Sequence, residues 1–202
     1  MLRLYAMVKD SDSTDTPRPP HSTGEDRLPG DPEPAELVAR FLRVDQAGEF
    51  GAARIYAGQL AVLGRSTSGP VIRAMAEAEQ KHLAEINRLM IARRVRPTAL
   101  SPLWNLAGFA LGLGSALLGE RAAMACTVAV EEVIEGHYAG QVAKLGEDEA
   151  AVRARLEEFG ADETKHKETA LAHGAQQTPG YQTLSRAVRA GTRLAIWLSE
   201  RI

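Results

Sequence analysis

Cysteine is nearly missing from this chain. Cys126 is the single thiol in 202 residues, which excludes an intramolecular disulfide framework and fits a reducing compartment. It falls in an Ala/Val-rich run, where a buried, inert side chain is expected. No Gly-x-Gly-x-x-Gly follows a strand-like segment, so a nicotinamide dinucleotide would not bind through a Rossmann unit. The formal net charge of −2 exerts no overall pull on nucleic acid, and no nucleic-acid partner is expected. No basic segment followed by an apolar one opens the chain, so no secretory signal is expected. Aromatic residues are sparse, at 5%, whereas Ala, Leu, Arg and Glu abound, a composition that favours helices over sheet.

The length suffices for one compact domain with a full core. Residues 1–35 read as a disordered tail, because positions 10–34 are rich in Pro, Asp, Ser and Thr and hold almost no large apolar side chains. His21 lies in it. Residues 36–202 then read as an all-α domain: a ferritin-like four-helix bundle with a long hydrophobic crossover and an extra amphipathic C-terminal helix.

Two copies of one spacing organise the domain: Glu79-Gln-Lys-His82 and Glu163-Thr-Lys-His166. On an α-helix, residues i and i+3 share a face, so carboxylate and imidazole can reach one point. Oxygen and nitrogen donors of this kind suit iron or manganese. Ferritin-like carboxylate proteins add one Glu from each of two other helices. Glu49 stands 30 residues before Glu79, and Glu131 stands 32 before Glu163, which reads as a helix pair occurring twice.

The first helix is predicted from Glu36 to Leu63. Glu49 lies beside its apolar stripe, with Asp45 one turn earlier and Tyr56 two turns later. Asp45 is either an exposed helix charge or an acceptor that orients a ligand histidine. Gly64 to Gly69 ends the helix, and a second runs from Pro70 to about Arg94, with Glu79 and His82 interrupting an apolar face. The third is predicted over Glu120–Leu145, where periodicity leaves Glu131 and Glu132 as rival ligands. Tyr138 falls two turns from Glu131, and His137 beside it is either a surface residue or part of an electron or proton route. The fourth spans Glu149 to His173, capped by Gly174, and places Glu163 and His166 on one face. His173 is too far along to join them.

Residues 97–119 carry no formal charge. Pro97, Pro102 and four glycines argue against a regular spanning helix. The segment reads as the crossover between the helix pairs, dipping into a membrane interface through Leu103, Trp104, Leu106, Phe109 and Leu111, or else buried against the bundle. Arg93, Arg94 and Arg96 beside it suit anionic headgroups. The last segment, Tyr181 to Ile202, sets apolar residues against Arg186, Arg189, Arg193 and Arg201 and suits either a membrane surface or packing on the bundle.

Several blocks resemble the demethoxyubiquinone hydroxylases of ubiquinone biosynthesis: RVDQAGEFGAARIYAGQLAVLG (43–64), AEQKHL (78–83), RVRPTALSPLWNLAGFALG (94–112), AMACTVAVEEVIEGHY (123–138), DETKH (162–166) and LSERI (198–202). The resemblance runs from about residue 40 to the C-terminus. DETKH is shorter and less acidic than the family's usual run but keeps Glu and His in place. The resemblance implies a di-iron monooxygenase that hydroxylates the ring of a polyprenyl demethoxyubiquinol with dioxygen and reducing equivalents from NADH. It implies Glu49, Glu79, His82, Glu131, Glu163 and His166 as ligands, deciding for Glu131 over Glu132. Glu79 and Glu163 are then expected to bridge two iron ions, with Glu49 and Glu131 terminal. His137 and Tyr138 match family positions near the site and the reductant route. The expected setting is a membrane surface, on the cytoplasmic face of the cell membrane or the matrix face of an organelle, with a lipid-binding accessory protein and self-association as further expectations. The rival class is a ferritin- or rubrerythrin-like iron storage or peroxide-scavenging protein, although the Cys-x-x-Cys iron site of a rubrerythrin is missing.

Overall fold

In the computed structural model, residue 30 and residues 32–202 are described; the tail expected over 1–35, with His21, lies outside the described residues but for its last few positions. Six helices follow in order: α1 (Pro34–Leu63), α2 (Gly69–Ala92), α3 (Ser101–Leu117), α4 (Glu120–Val142), α5 (Ala150–Ala172) and α6 (Tyr181–Ser199). Short 3-10 turns at Glu147–Glu149 and Ala175–Gln177 precede α5 and α6. No strand occurs among the described residues. The architecture is a ferritin-like bundle in which α1 pairs with α2 and α4 with α5, while α3 packs along α1 and α6 along α4.

The helix limits follow local chemistry. Pro34 opens α1, where its missing N–H costs nothing. Gly174 takes a left-handed φ of +84° after α5, the capping position predicted for it. Arg94 does the same after α2 with φ +55° but without a glycine's freedom, and the Val95 N–H closes the turn on the Met90 carbonyl at 2.9 Å. As a result α2 ends at Ala92, short of the predicted Arg94. Likewise α4 ends at Val142, and α6 at Ser199, each a few residues short of its predicted limit.

Leu42, Ile86 and Leu156 meet in one core cluster, and Ile72, Met124 and Tyr56 in a second. Burying each aliphatic side chain contributes about 1.5–3 kcal/mol. The crossover is more regular than the sequence suggested. Its prolines sit before or at the start of α3, leaving 17 residues as uninterrupted helix. The glycines provide close approach: a Cβ on Gly112 would collide with the Ile55 carbonyl, and one on Gly58 with the Phe109 carbonyl. One face of α3 is therefore buried against α1, while Leu103, Leu106 and Leu117 on the other are exposed. Among the described residues, no helix is long and apolar enough to cross a membrane.

Candidate metal centre

Four helices each deliver part of one buried cluster. Glu49 comes from α1, Glu79 and His82 from α2, Glu131 from α4, and Glu163 and His166 from α5, and all six are buried. They fall into two groups, Glu49–Glu79–His82–Glu163 and Glu79–Glu131–Glu163–His166. Within each group, one ligand-type atom from every residue lies within 4.8 Å of the others. Glu79 and Glu163 belong to both. His82 Nδ1 lies 3.4 Å from Glu49 Oε2 and 3.4 Å from Glu163 Oε1. His166 Nδ1 lies 3.0 Å from Glu79 Oε1 and 3.2 Å from Glu163 Oε2. Glu132, the rival of Glu131, points outward and accepts from Arg189 Nη1 at 2.7 Å. His173 is exposed and donates to the Thr169 carbonyl.

Two tyrosines fix the outer carboxylates. The Tyr138 hydroxyl donates to Glu49 Oε1, and Tyr56 donates to Glu131 Oε1 at 2.7 Å. Tyr138 was expected beside the cluster; the partner of Tyr56 was not. A usable signal existed, since Tyr56 and Tyr138 each follow their helix's Glu by seven residues.

Asp45 is buried, but it does not touch either cluster histidine. Its Oδ1 is 3.3 Å from His137 Nε2 and accepts from Gln141 Nε2 at 2.7 Å. This corrects the expectation of an acceptor that orients a ligand histidine: one turn before Glu49 on α1, Asp45 faces α4 rather than α2. The carboxylate on His82 is Asp162, whose Oδ2 lies 3.2 Å from Nε2. Nothing in the sequence distinguishes Asp162 from an ordinary surface charge, because it lies outside the apolar stripe of its helix.

Crowding four carboxylates in a dry site shifts their chemistry. Burial, reinforced by the negative charge of Glu163, pushes the carboxyls of Glu79 and Glu131 well above their ordinary range. Burial acts in the same direction on Glu163, but His166 and His82 outweigh it and hold this group low. For His82, burial opposes protonation, yet Glu163 and Glu49 raise the imidazole to about 10. Burial likewise raises the Cys126 thiol to about 12, so it stays inert as expected. Glu49 Oε2, Glu79 Oε1, Glu163 Oε1 and His82 Nδ1 are buried and unpartnered by any hydrogen bond of good geometry. Unpaired buried charge is costly without a counter-ion. Hard oxygen donors with two imidazoles, aimed inward and unsatisfied, fit a pair of first-row divalent cations.

Beside the cluster lies an apolar cavity of about 320 Å³. It is lined by Gly48, Gly51 and Ile55 of α1, Trp104 and Leu111 of α3, Val130 and Ile134 of α4, and Ala195 and Ser199 of α6. Ala52 and Ile134 in its wall stand one turn beyond Glu49 and Glu131, so the cavity lies against the two helices that carry the outer carboxylates. Among the crossover residues singled out in the sequence, Trp104 and Leu111 line this space, Leu103 and Leu106 are exposed, and Phe109 is half-buried under the Arg54 guanidinium. The Trp104 indole N–H donates to Ser199 Oγ at 3.0 Å and joins α3 to the end of α6.

Comparison with known proteins gives a consistent picture. The family model described as ubiquinone biosynthesis protein COQ7 matches residues 36–199. The chain is 58% identical over 181 residues to a Rhodospirillum rubrum protein named 3-demethoxyubiquinol 3-hydroxylase, covering 89% of this chain and 85% of that one. It is 54% identical over 168 residues to the Mus musculus NADPH-dependent 3-demethoxyubiquinone 3-hydroxylase, mitochondrial, covering 81% of this chain and 77% of the mouse one. A Saccharomyces cerevisiae mitochondrial 5-demethoxyubiquinone hydroxylase is 39% identical over 185 residues, covering 83% of this chain and 79% of the yeast one.

Proposed function

The chain belongs to the family of the ubiquinone biosynthesis protein COQ7, and on that premise we propose that it hydroxylates the ring of a polyprenyl demethoxyubiquinol at two iron ions held by Glu49, Glu79, His82, Glu131, Glu163 and His166. The observation that carries this reading is that two four-residue clusters share Glu79 and Glu163, as two adjacent ions with bridging carboxylates require. Glu49 and Glu131 are then terminal, and each histidine serves one ion.

When bound, the iron pair supplies the redox chemistry that activates dioxygen. Overall, one oxygen atom enters a ring C–H as hydroxyl and the other leaves as water, with a reduced nicotinamide as the electron source. The family resemblance implied NADH; the mouse relative is named NADPH-dependent, and both donors belong in the test. The protein's part is positional. Tyr138 and Tyr56 each hold one oxygen of a terminal carboxylate. In Glu49 the other oxygen is left free to face the cluster. Asp162 holds His82 Nε2, so that Nδ1 faces inward. The His137–Asp45 pair, with Gln141 between, can hold a proton beside the site, and half-buried His137 reaches toward solvent.

The apolar cavity accepts the substrate's ring and the first part of its tail, excluding water while the ring lies beside Glu49. The exposed leucines of α3 and Trp197 of α6 rest on the membrane that holds the tail in this reading, and their exposure supports a peripheral setting. The test is turnover of iron-loaded protein with a short-chain demethoxyubiquinol, dioxygen and NADH or NADPH, against Glu163→Ala and His166→Ala. Hydroxylated product from the unaltered chain alone supports the reading. Iron uptake with oxygen consumption but no ring hydroxylation would reject it in favour of storage or scavenging.

A further inference from the structure

The two halves of the cluster are related by an internal repeat, and the repeat is imperfect at two positions that matter. Glu49 corresponds to Glu131, Tyr56 to Tyr138, Gln59 to Gln141, and Glu79–His82 to Glu163–His166. The contacts repeat too: Tyr138 reaches Glu49 as Tyr56 reaches Glu131. Gln141 reaches Asp45, four residues before Glu49, as Gln59 approaches Thr127, four residues before Glu131. Two carboxylates break the symmetry. Asp162, one residue before Glu163, reaches across to His82 Nε2 at 3.2 Å, but the equivalent residue before Glu79 is Ala78. No carboxylate can therefore meet His166 in the same way. Buried Asp45 has only the neutral Thr127 as its counterpart. Both differences fall on the His82 side.

We propose that the two metal positions are unequal, and that the one formed by Glu49 and His82 with the shared carboxylates fills first, with Asp162 as the positioning residue that makes it so. The inference rests on the metal-centre reading above. Its physical basis is twofold. A carboxylate on the far nitrogen of a ligand imidazole fixes the ring's orientation and raises its basicity, and loss of such a partner typically costs about 10–100-fold in metal affinity. Asp162 adds negative charge at that position, offset in part by Lys165 at 2.8 Å from its Oδ1, and the buried Asp45 carboxyl lies on the same side, 3.3 Å from His137 Nε2. Among the described residues, the ion pairs of His166 are with the shared Glu79 and Glu163, so its ring orientation depends on the cluster itself.

The test is anaerobic titration of the metal-free full-length chain with Co(II), read by visible absorption and by calorimetry. Two successive binding constants alone decide nothing, since the first ion repels the second in any symmetric site. The variants decide. Glu131→Gln should keep the tight step and lose the weak one, and Glu49→Gln should do the reverse. Asp162→Asn, an isosteric change on a half-exposed side chain, should weaken the tight step by about 10–100-fold and leave the weak step within a few-fold. Ala78→Asp should strengthen the weak step. Equal effects of Glu49→Gln and Glu131→Gln, or an Asp162→Asn change that weakens both steps alike, would overturn the inequality while leaving a two-metal site intact. Failure of the unaltered chain to bind Co(II) at all would remove the metal-centre reading, and this inference with it.

Discussion

Tyr138 on α4 donates its hydroxyl to Glu49 on α1, and the favour is returned seven residues beyond Glu49, where Tyr56 of α1 donates to Glu131 of α4. The two helices thus exchange hydrogen bonds across the cluster, each tyrosine holding the carboxylate of the other helix. Replacing either by Phe leaves a buried acceptor without its donor, at a cost of about 1–3 kcal/mol. Tyr138→Phe and Tyr56→Phe should each lower the stability of the metal-free protein by that amount in urea unfolding. Their sum should describe the double variant only if the two halves act independently. A loss below about 0.5 kcal/mol in both would show that the exchange contributes little beyond packing.

The carboxyl cluster makes a clear pH prediction for metal-free protein. Burial and mutual repulsion raise Glu79 and Glu131 above their unfolded values. Stability tied to these groups is therefore complete below the ordinary carboxyl range and is lost as pH rises through their folded values. His82, raised to about 10, adds stability that is present below its unfolded value near 6.5 and is lost as pH climbs toward 10. Glu163 acts oppositely, since its carboxyl is held low, and its contribution is lost only in acid. The net expectation is an unfolding free energy, in the presence of chelator, that falls between about pH 6.5 and about pH 10, by about 1.4 kcal/mol per pH unit for each proton released on unfolding, with a melting temperature that falls alongside it. Saturating Mn(II) should abolish or reverse the slope, because metal binding favours the ionised ligands. A flat profile with chelator would contradict the picture of a strained, uncompensated cluster.

Gly48 tests the cavity. A Cβ there meets only Ile134 Cδ1, at 3.7 Å, and both residues line the apolar space beside Glu49. Gly48→Leu should fill part of that space without a backbone collision, and removing a mid-helix glycine favours the helix by up to about 1 kcal/mol. The expected outcome is unchanged or raised stability and full metal content, with kcat/KM for the quinol down by about tenfold or more, a loss of about 1.4 kcal/mol in transition-state stabilisation. Undiminished turnover would place the substrate elsewhere.

The crossover supplies a paired control. Gly112 packs so closely on α1 that a Cβ would overlap the Ile55 carbonyl, while Gly114 on the same helix has nothing within 4 Å. Gly112→Ala should therefore destabilise by about 1–3 kcal/mol through overpacking, and Gly114→Ala should stabilise by up to about 1 kcal/mol. Thermal unfolding of the two variants side by side checks both signs.

These contacts also show which features could be read without coordinates. Glu79 with His82 and Glu163 with His166 need only the three-residue step of a helix to share a face, so local geometry suffices. The number and order of helices follow from stripes such as Val152, Leu156, Phe159 and Glu163. The regular form of α3 was obscured because its glycines look like helix breakers, yet Gly108 and Gly112 make room for α1, a tertiary reason invisible in local propensity. Asp45 was misassigned, and Asp162 passed over, for a related reason. Which histidine a carboxylate meets depends on the rotation of neighbouring helices, and periodicity along one helix carries no information about that.

The outer surface of α3 and the end of α6 form the last test. Trp104 and Ser199 tie these elements together, and Leu103, Leu106 and Trp197 on them are all exposed. Arg201 lies over the Trp197 ring, 4.2 Å from its centroid, and can meet a phosphate while the indole enters the interface. A single large apolar side chain inserted into lipid contributes roughly 1.5–3 kcal/mol, and each interfacial cation about 1 kcal/mol toward anionic lipid. Leu106→Asp and Trp197→Asp should therefore each weaken sedimentation with phosphatidylserine-containing vesicles by about tenfold or more, with Arg201→Gln weakening it less and only when anionic lipid is present. Turnover of a soluble, short-chain quinol should survive all three changes, since none of these side chains touches the metal cluster, whereas turnover of a long-chain quinol held in vesicles should fall in step with binding. Equal vesicle binding by the unaltered chain and the Asp variants would show that this face meets something other than lipid.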